Sequence, residues 1–219
     1  MRAATSISEA GRYLRNFVAA TLAPVVQATT WRRNRLLVLG YHGISLDDEH
    51  LWDGVIYMPP ETFRQRMRFL QKAKYSVLPL EMALQRLHAG TLPPRAIALV
   101  FDDGFHDFAS VAAPILAEFG YPATVYLSTY YAQFNRPIFD IMLRYLLWKG
   151  SRRSIFLPGI LTESVGLNED GQRAVIAKVR DAALDRRMTG REKDNLLSSI
   201  AEALDIDYDL LCRQRLLQT

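Results

Sequence analysis

Asp102 and Asp103, followed by Gly104, stand directly after the apolar run Ala96-Ile97-Ala98-Leu99-Val100-Phe101. A buried strand does not end in adjacent carboxylates for packing reasons, because an unpaired charge is costly to desolvate. Two acids at the C-terminal tip of a parallel strand lie where α/β folds collect their chemistry. Like charges in one site repel unless a cation or a proton separates their roles. With a divalent metal, one aspartate would ligate it and the other would take a proton from metal-bound water. That pattern suits hydrolysis by water. No Gly-x-Ser-x-Gly or His-Glu-x-x-His sequence supports another hydrolytic scheme. A phosphatase of the haloacid dehalogenase type needs Asp-x-Asp, and residue 104 is Gly where the second Asp belongs. The plainer alternative is a turn in which one aspartate caps the next helix, since Asp and Gly are ordinary turn residues.

The elements that position the pair follow a βα rhythm. Strands are expected at 36–41, 75–78, 96–101 and 123–127. Helices are expected at 61–73, with Phe63, Met67 and Leu70 on one face, and along Leu80, Leu84 and Leu87. The next helix carries Phe108, Val111, Ile115 and Phe119, with Gly120 as its stop and Pro114 as a kink or true start. Asn135 and Pro137 are expected to open a helix bearing Ile138, Ile141, Met142, Tyr145 and Leu146. Four strands alternating with helices imply a parallel sheet with right-handed crossovers, about half a closed barrel. The 42–60 connection is long and marks a functional loop. Residues 171–184 and 191–218 read as charged helices, the second opened by a Thr189/Glu192 capping box.

Three motif matches beyond the aspartates, in order along residues 36–150, carry a family resemblance. Val100-Phe101-Asp102-Asp103-Gly104 resembles the first motif of the polysaccharide deacetylases, the NodB-homology carbohydrate esterases. Leu39-Gly40-Tyr41-His42-Gly43-Ile44 is similar to their first strand. Pro60-Glu61-Thr62-Phe63 resembles their first helix, and Gly120-Tyr121-Pro122-Ala123-Thr124-Val125-Tyr126-Leu127 their strand after the motif. The resemblance implies an α/β fold, here a partial (β/α) barrel plus a C-terminal helical segment. It implies removal of acetyl groups from a carbohydrate polymer or amino sugar. Asp102 matches the general base and Asp103 the metal-binding aspartate. The implied metal is zinc, with cobalt or nickel substituting. His42 and His106 would contact substrate or hold Asp102 in place; a buried, hydrogen-bonded structural role is the ordinary reading of His42.

The family's His-x-x-x-His has no counterpart, because the four histidines are His42, His50, His88 and His106. The resemblance therefore implies the N-terminal part of a deacetylase, interrupted before its second motif, with residues 151–219 as a helical insertion or extension. Its rival is a remnant or carbohydrate-binding module without turnover. His50, among Asp47, Asp48, Glu49 and Asp53, reads as part of a solvated loop rather than a cation site. Trp52, Tyr57, Tyr130, Tyr131 and Phe134 would stack on sugars or close the barrel mouth. Arg136 is a surface arginine that would reach substrate at most at the rim.

The formal charge of +4 is uneven. Residues 1–35 hold six basic and one acidic residue (+5), 36–150 ten and eleven (−1), and 151–219 eleven of each. The basicity is thus an N-terminal arm, not a groove for nucleic acid. The arm's Phe17–Val26 run, after Arg2, Arg12 and Arg15, loosely resembles a signal peptide. It is short and contains Pro24, so a helix against the domain or a membrane surface is preferred, and a cytoplasmic or membrane-peripheral location over secretion. One cysteine, Cys212, excludes an internal disulfide. An open four-stranded sheet leaves a bare edge, so the chain is expected to be poorly soluble or dimeric unless residues 151–219 cover it.

Overall fold

The computed structural model describes residues 35–213. The arm at 1–34, with its helix and signal-peptide readings, lies outside the described residues. No helix among the described residues is long and apolar enough to cross a membrane.

The sheet is built on β5 (Ala96–Phe101), every residue of which is buried. β1 (Leu37–Tyr41) runs parallel along one edge, with Leu37 opposite Ile97 and Tyr41 opposite Phe101. β4 (Ser76–Val77) pairs with Ala96 and Ile97, and β6 (Thr124–Val125) with Val100 and Phe101, both parallel. Ile97 and Val100 each pair with β1 as well, so β4 and β6 share the edge opposite β1. The sheet does not close among the described residues. Adjacent to it, β2 (Gly43–Ile44) and β3 (Tyr57–Met58) form a short parallel pair. These two, with α1 (Glu49–Trp52), give ordered structure to the connection read as one long loop.

α2 (Pro60–Lys72) buries Phe63, Met67 and Leu70 as expected from their spacing. On α3 (Leu80–His88) the inward face centres on Ala83, not Leu84, which is 40% exposed. The methyl allows the helix to approach β5 closely where leucine would hold it off. Pro114 has no N–H to give to the carbonyl four residues back. The chain answers with a π-helical stretch, Phe108–Ala112, closed by the Ala113 N–H on the Phe108 carbonyl. α4 (Ala113–Phe119) follows and ends at Gly120 in the left-handed conformation. Arg64 of α2 clamps Glu118 of α4 through two bonds of 3.0 Å.

Asn135 closes a helix instead of opening one. α5 (Thr129–Phe134) stops there because Asn135 takes φ 50°, a left-handed state Asn tolerates better than most side chains. α6 (Phe139–Lys149) then begins after Ile138. A β7–β8 hairpin (Ser154–Ile155, Val165–Gly166) precedes α7 (Glu169–Asp185), α8 (Gly190–Ala203) and α9 (Tyr208–Arg213). The capping box of α8 forms in full: the Thr189 hydroxyl accepts from the Glu192 N–H, and the Thr189 N–H donates to the Glu192 carboxylate.

Two cores result. One joins β1 and β5 to α2 and α4 through Tyr41, Phe63, Met67, Phe101 and Ile115. The other joins α6 to α7, α8 and the hairpin through Met142, Leu146, Val175, Val179, Leu197 and Ile200, and reaches Tyr57 and Phe105 below the sheet's end. The C-terminal helices therefore pack on α6. No described strand pairs with the outer edge of β1, where Leu37 is 40% and Val38 47% exposed. Such an edge templates pairing with another chain. We expect the chain to self-associate at micromolar concentration and Val38→Lys to shift it toward monomer in light scattering; a wild-type chain that stays monomeric would remove the edge as an association site.

Candidate active site

Phe101 anchors the tip of β5. Its ring stacks on Tyr41 (centroids 5.3 Å apart) and meets Phe63 (5.8 Å) and Phe108 (4.8 Å) edge-on. Such aromatic pairs add to the burial itself, so the residue before the acids is fixed. Asp102 continues the ladder, its N–H donating to the Tyr41 carbonyl at 2.9 Å. The chain then turns through two left-handed residues, Asp103 (φ 67°) and Gly104 (φ 69°). The Asp103 Oδ1 accepts from the Ser128 hydroxyl at 2.9 Å, and the Asp103 carbonyl accepts from the Ser128 N–H at 3.2 Å. Neither aspartate caps the following helix: the residue before the π-helical stretch is Asp107. Both acids are half-buried at the C-terminal end of the sheet.

Gly104 suits this turn chiefly through its backbone. Its φ is positive, and a Cβ there would sit 2.4 Å from the Leu127 Cδ1. Gly104→Ala is expected to cost about 1–2 kcal/mol from the backbone alone, measured by urea unfolding; an unchanged midpoint would show that the turn relaxes freely.

His42 leaves β1 beside Asp102, as the Tyr41–Phe101 register requires. It is exposed, not the buried hydrogen-bonded residue that is the ordinary reading, because the chain bends into β2 and buries Gly43 and Ile44 in its place. It lines a cavity of about 370 Å³ with His50, Thr62 and Arg66. The aspartates are not among that cavity's walls. His106 is half-buried two residues after Gly104, its carbonyl accepting from the Ser110 hydroxyl. His88 ends α3 exposed, where it complements the helix dipole.

Of the 47–53 acids only Asp47 is exposed, so most of the segment is not a solvated loop. Glu49 and Asp53 are buried, at 2% and 8% exposure. Asp53 pairs with Arg144 of α6, and Asp48 with Lys149 and the Tyr145 hydroxyl. Arg144 also lies 5.6 Å over the Trp52 ring. An acidic loop has met a basic helix face. Trp52 and Tyr57 are consequently packed into the second core, Trp52 against Tyr145 and Tyr57 against Phe105. Tyr130 and Phe134 remain exposed, on α5. Arg136 pairs with Asp194 of α8 at 3.3 Å.

Asp107 carries the most perturbed carboxyl of this region, and sequence reasoning did not single it out. It is 4% exposed, and its Oδ1 accepts from the Ile44 N–H at 3.1 Å. Burial pushes its pKa up to about 7 against the single lowering bond from Ile44, with Glu49 adding to the rise. The folded state thus holds a proton that the unfolded chain releases near pH 4. The fold is then most favoured below that pH and loses stability as pH rises toward 7. A gap of that size corresponds to on the order of 4 kcal/mol. Asp107→Asn keeps the acceptor for Ile44 and should flatten the pH 4–7 limb of the stability curve; identical curves for the two proteins would place the titration elsewhere. Its only sequence signal is that it stands between two phenylalanines, Phe105 two residues before it and Phe108 directly after it.

No protein-family model matches this sequence, and no curated protein matches it. Solved structures do. A Streptococcus pyogenes deacetylase, PplD, in complex with acetate is 26% identical, with a TM-score of 0.42, over 49% of this chain and 50% of that one. PplD and the two structures that follow are deacetylases. A de-N-acetylase from Aggregatibacter actinomycetemcomitans is 19% identical (TM-score 0.37), covering 66% of this chain and 51% of its own. BC0361, a polysaccharide deacetylase from Bacillus cereus, is 23% identical (TM-score 0.34), covering 42% and 29%. This chain spans about half the length of the first two and less of the third. Superpositions this loose leave the functional reading to rest on the motifs and the sheet geometry.

Proposed function

We propose that this chain bears the general base of a carbohydrate deacetylase, which removes acetyl groups from a polysaccharide or amino sugar by attack of water. The observation that supports it is the tip of β5. Asp102 extends from a strand locked by three aromatic contacts, while Asp103 is turned and tethered by Ser128. Asp102 takes the proton of the attacking water and returns it to the leaving nitrogen or oxygen. Asp103, in a left-handed backbone state held by two bonds to Ser128, keeps a fixed orientation beside it. That division of labour between adjacent acids is what prevents both from competing for one proton.

The donor set for zinc does not fit. Three protein ligands are usual for catalytic zinc, and no group of three or more His, Cys, Asp or Glu that could hold a metal exists among the described residues. The proposed proton chemistry is accordingly that of Asp102 alone. The lack of a second and third donor beside Asp103 among the described residues is the observation that favours a second reading, saccharide binding without turnover. Hydrolysis of p-nitrophenyl acetate and acetate release from N-acetylated oligosaccharides, each with and without added zinc, separate the two. Turnover of either substrate supports the deacetylase; saccharide binding with no turnover under any condition supports the binding module.

A further inference from the structure

The cavity beside β1 has a wall chemistry that the proposed hydrolysis does not use. Its polar side chains are Tyr41, His42, His50, Tyr57, Thr62 and Arg66, and none of its lining residues is acidic. Among the three arginines spaced two apart on the middle of α2, Arg64 pairs with Glu61 and Glu118, and Arg68 pairs with Glu61. Arg66 forms no ion pair among the described residues. Its guanidinium carbon lies 5.9 Å from the centroid of the Tyr41 ring. A guanidinium has five N–H donors in a fork suited to an oxyanion, so most of its capacity stays open to the cavity. Thr62 stands one turn before it on the same face, and both are exposed. His50 is held from behind, its Nδ1 3.1 Å from the Ser45 hydroxyl, so its ring is oriented before any ligand arrives. The volume, about 370 Å³, is that of a small-molecule site.

The cavity's place matters as much as its charge. Its mouth includes Gly40, Tyr41 and His42 at the C-terminal end of β1. The Asp102 N–H bonds the Tyr41 carbonyl, so a residue of the cavity wall belongs to the strand paired beside the one that bears the acids. We propose that it binds an oxyanion, a carboxylate or phosphate carried by the saccharide, through Arg66, Thr62 and His42. Resting on the deacetylase reading, this makes the substrate an acidic glycan rather than a neutral one. Anion and acetyl group then sit on neighbouring strand ends, and the cationic wall offsets the repulsion that Asp102 and Asp103 would exert on such a substrate.

The test is a titration of the full chain with glucuronate, glucose 6-phosphate and glucose, followed by the amide resonances of Gly40–His42 and Thr62. Both anions should give saturable shifts there, and glucose none. Arg66→Gln should weaken both about tenfold, and His42→Gln should weaken them less. Arg68→Gln, the same charge change on the same helix but outside the cavity, should not. Glucose binding as well as glucuronate, or an Arg66→Gln variant equal to wild type, overturns the proposal. Binding needs no turnover, so the two readings fail separately. Anion binding with no acetate release removes the deacetylase and keeps the cavity. Acetate release without selective anion binding does the reverse.

Discussion

Asp102→Asn is expected to lower kcat/KM for acetate release by about 10²–10⁴-fold, the usual worth of a positioned general base. The change removes the proton acceptor and almost nothing else. The backbone bond from residue 102 to the Tyr41 carbonyl is kept, and the side chain is half-buried rather than packed in the core. Unfolding free energy should therefore stay within about 0.5 kcal/mol of wild type, and KM should move little because the acid acts on water. Asp103→Asn is a different experiment. It keeps an acceptor for the Ser128 hydroxyl, so the turn should survive. A loss confined to Asp102→Asn identifies the base; equal activity in that variant and wild type removes Asp102 from the chemistry.

The largest loss of stability should come from Arg144→Ala, about 3–5 kcal/mol in urea unfolding. Arg144 is the cation opposite Asp53, whose side chain is 9% exposed. Asp53 also accepts from the Val55 and Ile56 N–H groups at 3.2 Å each, so it cannot turn to water without unmaking the loop. Removing the guanidinium leaves that carboxylate buried without its counter-ion and uncovers the Trp52 ring. The double variant with Asp53→Asn should recover much of the loss, because the neutral amide keeps an acceptor and needs no cation. A single variant that melts like wild type would show that the loop's acids are solvated. The consequence reaches the proposed site: this loop carries Tyr57, which stacks on Phe105 directly after the Gly104 turn.

What the sequence revealed and what it hid divide along a physical line. The bounds of β5, the buried face of α2, the Gly120 stop and the Thr189/Glu192 box are local facts, each set by periodicity or by one residue's backbone preference. The aspartate pair was legible for the same reason, as an abrupt change of polarity at a strand's end. The loop between β1 and α2 was not. Its buried Asp53 is paired only because Arg144 arrives from almost a hundred residues away, and nothing within the loop announces that. The basic pair Arg144 and Lys149 on a mostly apolar helix was the available signal. Asn135 was ambiguous in itself, since the same residue type opens helices by its side chain and closes them by its backbone. His42 was placed correctly by register at the mouth of β1 but not in its exposure, which depends on β2 turning inward.

The most direct test of the account is proton NMR of the full chain with an N-acetylated oligosaccharide, following free acetate. The account predicts an acetate resonance that grows with wild type and stays flat with Asp102→Asn, while both proteins shift the saccharide signals equally. Acetate produced at the same rate by both proteins, or saccharide signals that shift for both with no acetate from either, would contradict it.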